Sequence, residues 1–160
     1  MPTQDSTPLW KCPRCGFARP QPAACSICQT EGLLPWPDGR PLTLELRLIA
    51  ADRLSDAYAA LSDRVSRGAG DSEACLQLAW LAYAFQDLRA VEIWCHECAR
   101  LDPASPGPHI VLGHVFQRSG RFEEALEEYE AALRLPSLSG PARRIVETSL
   151  RQTRESIPEF

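Results

Sequence analysis

The sequence predicts an all-α fold of three helix pairs and a final capping helix, preceded by a small N-terminal module rich in cysteine. Two observations predict it. Apolar residues recur through residues 42–160 at a step of 34 residues, and residues 1–34 contain two Cys-x2-Cys pairs separated by nine residues. A hydrophobic content of 44% and a charged content of 24% are typical of a folded globular chain.

The N-terminal module is organised by Cys12, Cys15, Cys25 and Cys28. A spacing of three residues lets both sulfurs of one tight turn point at the same ion, and two such turns supply four thiolates for a tetrahedron. Gly16 follows the first pair and suits the left-handed conformation that often ends such a turn. A segment this short cannot bury enough surface to fold alone, so a bound metal would supply its folding energy. The sequence therefore predicts one tetrathiolate metal site.

The string from Trp10 to Phe17, with an aromatic residue on each side of the first cysteine pair, resembles the rubredoxin-like zinc ribbons at the ends of some bacterial proteins. The resemblance implies that these aromatics pack over one Zn²⁺ ion. Thiolates also bind iron, and an iron site would make the module an electron carrier, so Fe stays open as an alternative. No flavin- or nicotinamide-binding motif accompanies the cysteines, which favours zinc.

A connector rich in proline follows the ribbon. Pro35, Pro37 and Pro41 stiffen it and keep the ribbon from running straight into a helix. We therefore predict a zinc ribbon over residues 1–34, a Pro-rich linker over residues 35–41, and a helical domain over residues 42–160.

The repeat is clearest between residues 106 and 139, where two helical patterns meet at Ser119-Gly120. One step of 34 residues carries Leu112 to Leu78, and a second step carries it to Leu44. The layout resembles the tetratricopeptide repeat (TPR), a helix–turn–helix unit of 34 residues. The resemblance implies a TPR-like helical solenoid with repeats at about 38–71, 72–105 and 106–139, closed by a capping helix over 140–157.

The remaining cysteines and histidines are predicted to have structural roles, with no part in metal binding or catalysis. Cys95 and Cys98 fall on buried helix-packing positions of the repeat, where cysteine acts as a small apolar residue. His109 and His114 are five residues apart, which does not place two ligands on one helical face. The sequence contains no catalytic triad, phosphate loop or dinucleotide-binding turn, so we predict no catalytic residues and no enzyme activity.

The helix around Trp80 is apolar on two sides, and the TPR resemblance implies that its second stripe faces a groove that binds ligands. The predicted partner-binding groove consists of Leu42, Leu46, Ile49, Leu76, Trp80, Tyr83, Ile110, His114, Gln117 or Arg118, Arg144 and Arg151. It grades from apolar to basic, which suits a helix or extended segment of another protein that carries acidic residues. In an alternative arrangement, the linker or the ribbon folds back over Leu42, Leu46 and Trp80.

These expectations combine into a cytoplasmic, non-enzymatic adaptor or scaffold, which binds a peptide or helix of a partner in the groove and has the structural zinc ribbon as a second interaction module. The start of the chain is polar and resembles no targeting signal, and the longest apolar run is shorter than the about 20 residues of a membrane span. Thiols stay reduced in the cytosol, where clustered cysteines indicate a metal.

The sequence is also compatible with two other functions. One is an iron-containing electron-transfer module on the same scaffold. The other is a nucleic-acid-binding ribbon that uses Lys11, Arg14 and Arg19 beside the aromatics. The residues from Pro41 onward include 13 basic and 18 acidic residues, a formal charge of −5, which makes nucleic acid an unlikely partner.

Overall fold

The structure is a computed structural model that describes residues 9–12, 14–20, 23–25, 27–28, 30, 33–37, 42–68 and 70–159. Within these ranges the chain forms seven α-helices and one three-stranded sheet. Residues 1–8 of the predicted ribbon and residues 38–41 of the predicted linker lie outside the described residues.

The sheet belongs to the N-terminal module. Its strands are β1 (Trp10–Lys11), β2 (Ala18–Arg19) and β3 (Leu34–Pro35). The order is β2-β1-β3 and both pairings are antiparallel. The first cysteine pair follows β1, and the second lies between β2 and β3. This arrangement brings the two Cys-x2-Cys turns together at one end of a very small sheet.

The rest of the described chain is helical. The helices are α1 (Leu44–Ala50), α2 (Leu54–Ser66), α3 (Ser72–Ala84), α4 (Leu88–Leu101), α5 (Gly107–Arg118), α6 (Phe122–Arg134) and α7 (Gly140–Ser156). Each helix packs against the next one in sequence, and α3 also contacts α5. Asp71 and Asp87 cap α3 and α4, each accepting a hydrogen bond from a first-turn backbone N–H. The mainly helical class predicted from the sequence is confirmed.

The pair formed by α5 and α6 shows why the repeat needs a small residue in its first helix. A Cβ atom added at Gly113 would lie 2.6 Å from the ring of Tyr129. Tyr129 is buried, and its hydroxyl donates a hydrogen bond of 2.8 Å to Gln117 Oε1. The two helices are therefore packed too closely at this point for any residue larger than glycine without displacement of the ring.

The first helix pair departs from the period. Leu44 is 60% exposed, so the prediction that it occupies a core position is wrong. The reason is that α1 is only seven residues long and begins at Leu44, directly after its cap Thr43. The neighbouring Glu45 is buried and forms an ion pair of 3.3 Å with Arg64 on α2. The same positions one repeat later are the small residues Ala79 and Cys98.

The apolar core is continuous between the sheet module and the helices. Phe17 and Ile27 from the module belong to the same buried cluster as Leu46, Ile49 and Trp80 from the helices. Two pieces that share a core in this way stabilise each other. None of the helices in the described part of the chain is long and apolar enough to cross a membrane.

Candidate functional site

The four cysteines of the module converge on one point. The ligand atoms of Cys12, Cys15, Cys25 and Cys28 all lie within 4.8 Å of one another, and all four residues are buried. Cys12 Sγ lies 3.5 Å from Cys28 Sγ, and Cys15 Sγ lies 3.7 Å from Cys25 Sγ. A tetrahedron with zinc–sulfur bonds of about 2.3 Å has sulfur–sulfur edges of about 3.8 Å. The described sulfurs thus fit a tetrathiolate metal site, as the spacing predicts.

Local backbone structure holds the two turns in place. The N–H of Gly16 donates to the Cys12 carbonyl at 2.9 Å, and Gly16 has a φ of +76°, so the predicted left-handed conformation is confirmed. The N–H of Cys25 donates to the Thr30 carbonyl at 2.9 Å. Thr30 Oγ1 lies 3.2 Å from Cys28 Sγ, where its hydroxyl can donate to a thiolate.

The four cysteines alter one another's pKa values. Burial raises the pKa of the Cys15 thiol. Hydrogen bonds from the neighbouring thiols, Cys12 first, lower the pKa of Cys25, and the backbone N–H of Cys28 adds to that effect. Four crowded thiolates repel one another unless a positive charge lies between them, and a divalent ion supplies that charge.

The other cysteines show no such convergence. Cys75, Cys95 and Cys98 are buried between helices, as the repeat predicts. Burial raises the pKa of Cys95 and raises that of Cys98 to about 11, so both thiols are protonated and unreactive at neutral pH. Among the described residues, the metal-ligand geometry is found only in the N-terminal cluster.

The metal module is fastened to the helices by Arg14, which stands in the first cysteine turn. Its Nη2 donates a hydrogen bond of 2.7 Å to Ser149 Oγ on α7, and its Nη1 contacts His114 Nδ1 on α5. A guanidinium group has only donors, so Nδ1 of His114 is the acceptor and the neutral ring carries its proton on Nε2. One side chain therefore joins the metal turn to two helices.

His114 is itself buried, with an exposed fraction of 4%. Burial, followed by the positive charges of Arg14 and Arg118, lowers the pKa of His114 to about 3. Its ring lies 5.8 Å from that of Trp80 and 5.1 Å from that of Tyr83. Its Nε2 has no hydrogen-bond partner of ordinary geometry among the described residues.

A second polar contact between the module and the helices is made by Arg19. Arg19 on β2 donates a hydrogen bond of 3.0 Å to the Ile49 carbonyl at the end of α1, and it lies 3.7 Å from Asp52. A carbonyl at a helix C-terminus is favourable for a cation. Strand β2 and helix α1 are thus held together by both polar and apolar contacts.

The structure places the predicted groove residues in two groups. The apolar members adjoin the ribbon and share its core: Leu46, Ile49, Trp80 and Ile110 are buried, and Leu42, Leu76 and Tyr83 are half-buried. Trp80 is only 1% exposed. Ribbon residues Phe17, Ile27 and Leu33 belong to the same buried cluster as this stripe, and Trp36 of the linker packs against that cluster.

The remaining members of the predicted groove, His114 and the arginines, lie in different places. His114 and Arg118 line a cavity of about 590 Å³ between the ribbon, α5 and α7. Arg144 and Arg151 are exposed and stand outside this cavity. The α7 residues that line it are Ile145, Thr148, Ser149, Gln152 and Ser156. Sequence reasoning missed this polar face of α7, whose spacing of three and four residues is a helical stripe that could have been read from the sequence.

Replacing Arg14 should loosen the ribbon from the helices. We expect Arg14→Gln to lower the free energy of unfolding by about 1.5–3 kcal/mol, because a charged donor to Ser149 and His114 is lost in a partly buried place. Urea unfolding of the metal-loaded protein measures the change. Arg67→Gln is the matched control: Arg67 is exposed, its partner is Asp63 on α2 at 3.2 Å, and the change should stay within about 0.5 kcal/mol. Equal effects of both variants would contradict the fastening role of Arg14.

Comparison of the chain with models of protein families, with curated proteins and with solved structures gave no match.

Proposed function

We propose that this chain is a non-enzymatic adaptor. In this proposal a zinc ribbon and a three-repeat TPR-like solenoid form one rigid unit that binds a segment of another protein at the polar end of the groove.

Three features support the TPR-like arrangement. The helices pack in sequence order, as they do in a solenoid. The small residue Gly113 lies against the large ring of Tyr129, where the repeat pattern places a small and a large partner. One step earlier, Ala79 and Cys95 stand at the same positions and are buried. The 34-residue period therefore coincides with a period in burial over the second and third helix pairs.

The observation that carries the functional proposal is the position of the ribbon. Arg14 reaches from the metal turn to His114 and Ser149, and the ribbon covers the apolar stripe around Trp80. A partner segment cannot occupy the same place. Two cavities border the covered stripe: one of about 330 Å³ is lined by Leu46, Leu76 and Ile110, and a larger one of about 590 Å³ is bounded by Arg118, Gln117 and α7. We assign partner binding to the larger, polar one.

We propose zinc in a structural role for the metal site. All four sulfurs are buried, and the site adjoins the core that joins the ribbon to the helices. A structural ion belongs in such a place, whereas an electron carrier exchanges electrons most readily near the surface. Elemental analysis of the purified protein should give one zinc per chain and a colourless solution. A red protein that bleaches on reduction would support the iron alternative instead.

The nucleic-acid alternative receives no support from the described contacts. Arg14 and Arg19, two of the three cations it requires, are engaged with the helices. Phe17, one of its two aromatic residues, is fully buried. A stacking platform for bases needs exposed aromatic rings and a basic surface, and these side chains face inward.

The adaptor proposal is tested by partner capture with charge-reversed variants. Immobilised protein should retain a protein from a lysate of its own organism, and Arg118→Glu should reduce the amount retained by about tenfold or more. The control Arg67→Glu reverses an exposed arginine that directly follows α2, far in sequence from the cavity, and should retain the same amount as the wild type. Equal capture by all three proteins would place the binding surface elsewhere, and capture of nothing would contradict the adaptor.

A further inference from the structure

The cavity between the ribbon, α5 and α7 has an unusual chemical lining. Two guanidinium groups, those of Arg14 and Arg118, contribute to it. No aspartate or glutamate is found among the described residues that line it, although the chain as a whole is acidic, with a formal net charge of −4. The volume of about 590 Å³ falls within the roughly 300–1,000 Å³ typical of ligand sites.

Several polar groups of the lining can donate, although the Ser156 hydroxyl already donates to the Gln152 carbonyl at 2.8 Å. The oxygen of the Gln117 amide already accepts a hydrogen bond from the Tyr129 hydroxyl at 2.8 Å, so the side of Gln117 that remains presents N–H groups. Nδ1 of His114 accepts from Arg14, and its second nitrogen is buried, so the imidazole adds no free donor to this wall. Together with the two guanidinium groups, such a wall suits a ligand that carries acceptors.

The two arginines have different roles in this wall. Arg14 is held by His114 and Ser149, and it stands within two residues of Cys12 and Cys15. A divalent ion held by the four thiolates would carry a formal charge of −2 beside the cavity, which Cys28 lines, and the charge of Arg14 would offset part of it. Arg118 stands at the end of α5 and also lines the cavity. It has an interaction of its own within the chain, and it brings a positive charge to the wall.

We propose that this cavity binds an oxyanion, the carboxylate or phosphate group of an acidic ligand, between Arg118 and the hydroxyl and amide groups of α7. The polar α7 side chains that face it are Thr148, Ser149, Gln152 and Ser156. Arginine presents a planar fork of donors that matches both kinds of oxyanion. The ligand is either an acidic side chain of a partner segment or a free small anion, and only the first source depends on the adaptor proposal.

The test measures binding of defined probes to the full-length, metal-loaded protein at constant ionic strength. The probes are a fluorescent tetra-glutamate peptide, its tetra-glutamine counterpart, succinate and inorganic phosphate. Binding of the tetra-glutamate peptide and not of tetra-glutamine supports the site with a partner segment as the source. Binding of succinate or phosphate without the peptide supports the site with a free anion as the source. Binding of none of them overturns the proposal.

Variants decide whether the anion occupies this cavity. Arg118→Gln should weaken binding about tenfold or more, since one charged hydrogen-bond donor is lost. Arg118→Lys keeps the charge and should lose less, whereas Arg67→Gln should bind as the wild type does. Equal binding by Arg118→Gln and the wild type overturns the site. A tetra-glutamine peptide that binds as well as tetra-glutamate overturns the anion chemistry while leaving peptide binding, and so the adaptor proposal, in place.

Discussion

Cys12→Ser is expected to release the metal and to unfold the ribbon. A structural site of this type supplies about 10–16 kcal/mol of apparent binding energy, and this ribbon has only two-residue strands to hold it otherwise. Loss of one of four ligands should lower metal affinity by more than the 10–100-fold that loss of an outer hydrogen-bond partner typically costs. Metal content per chain and protease cleavage near Trp10 are the measurements. Helices α2–α7 should keep most of their circular-dichroism signal, because each packs against its neighbour in sequence as well as against the shared core.

Cys75→Ala is the matched control for this prediction. It removes a buried cysteine from α3, outside the sulfur cluster, and the protein should keep one metal ion per chain. A Cys12→Ser protein that still binds one ion with unchanged affinity would contradict the tetrathiolate site. Metal loss in both variants would indicate that the cluster depends on the helices more than on its own ligands.

Leu78→Ala is expected to lower the free energy of unfolding by about 2–5 kcal/mol. Leu78 is 0% exposed in the centre of α3, so truncation removes buried surface and leaves a cavity. The measurement is the urea midpoint of the metal-loaded protein, with the slope of the transition checked for two-state behaviour.

Leu44→Ala makes the same chemical change one repeat earlier and provides the control. Because Leu44 is 60% exposed, the variant should stay within about 0.5 kcal/mol of the wild type. A cost for Leu44→Ala equal to that of Leu78→Ala would show that the strict 34-residue period describes the first helix pair better than the structure does.

Local signals in the sequence were sufficient for the metal cluster. The two ligands of each turn are three residues apart, so spacing alone determines that their sulfurs can meet, and the four predicted cysteines converge as expected. The helical class was predictable for a similar reason, since apolar periodicity and caps such as Asp71 and Asp87 act over a few residues.

The docking of the ribbon could not be predicted in the same way. Arg14 and Ser149 are 135 residues apart in sequence, and neither belongs to a motif that predicts their contact. An apolar stripe such as the one around Trp80 is expected to be buried against something. The sequence alone did not distinguish another part of the same chain from a partner protein. The predicted burial of Leu44 in the first helix pair was wrong for another reason: α1 is too short to surround this side chain.

The central claim is that the metal-loaded ribbon and the helices form one structural unit. Hydrogen–deuterium exchange of the full chain, before and after removal of the metal by a chelator, tests it most directly. Helix α1 is only seven residues long, which is too short to be stable alone. It contacts the ribbon through the hydrogen bond from Arg19 to the Ile49 carbonyl. We predict that metal removal accelerates exchange in residues 9–35 and equally in α1, with α6 unchanged. Acceleration confined to residues 9–35, with α1 as protected as before, would contradict the claim.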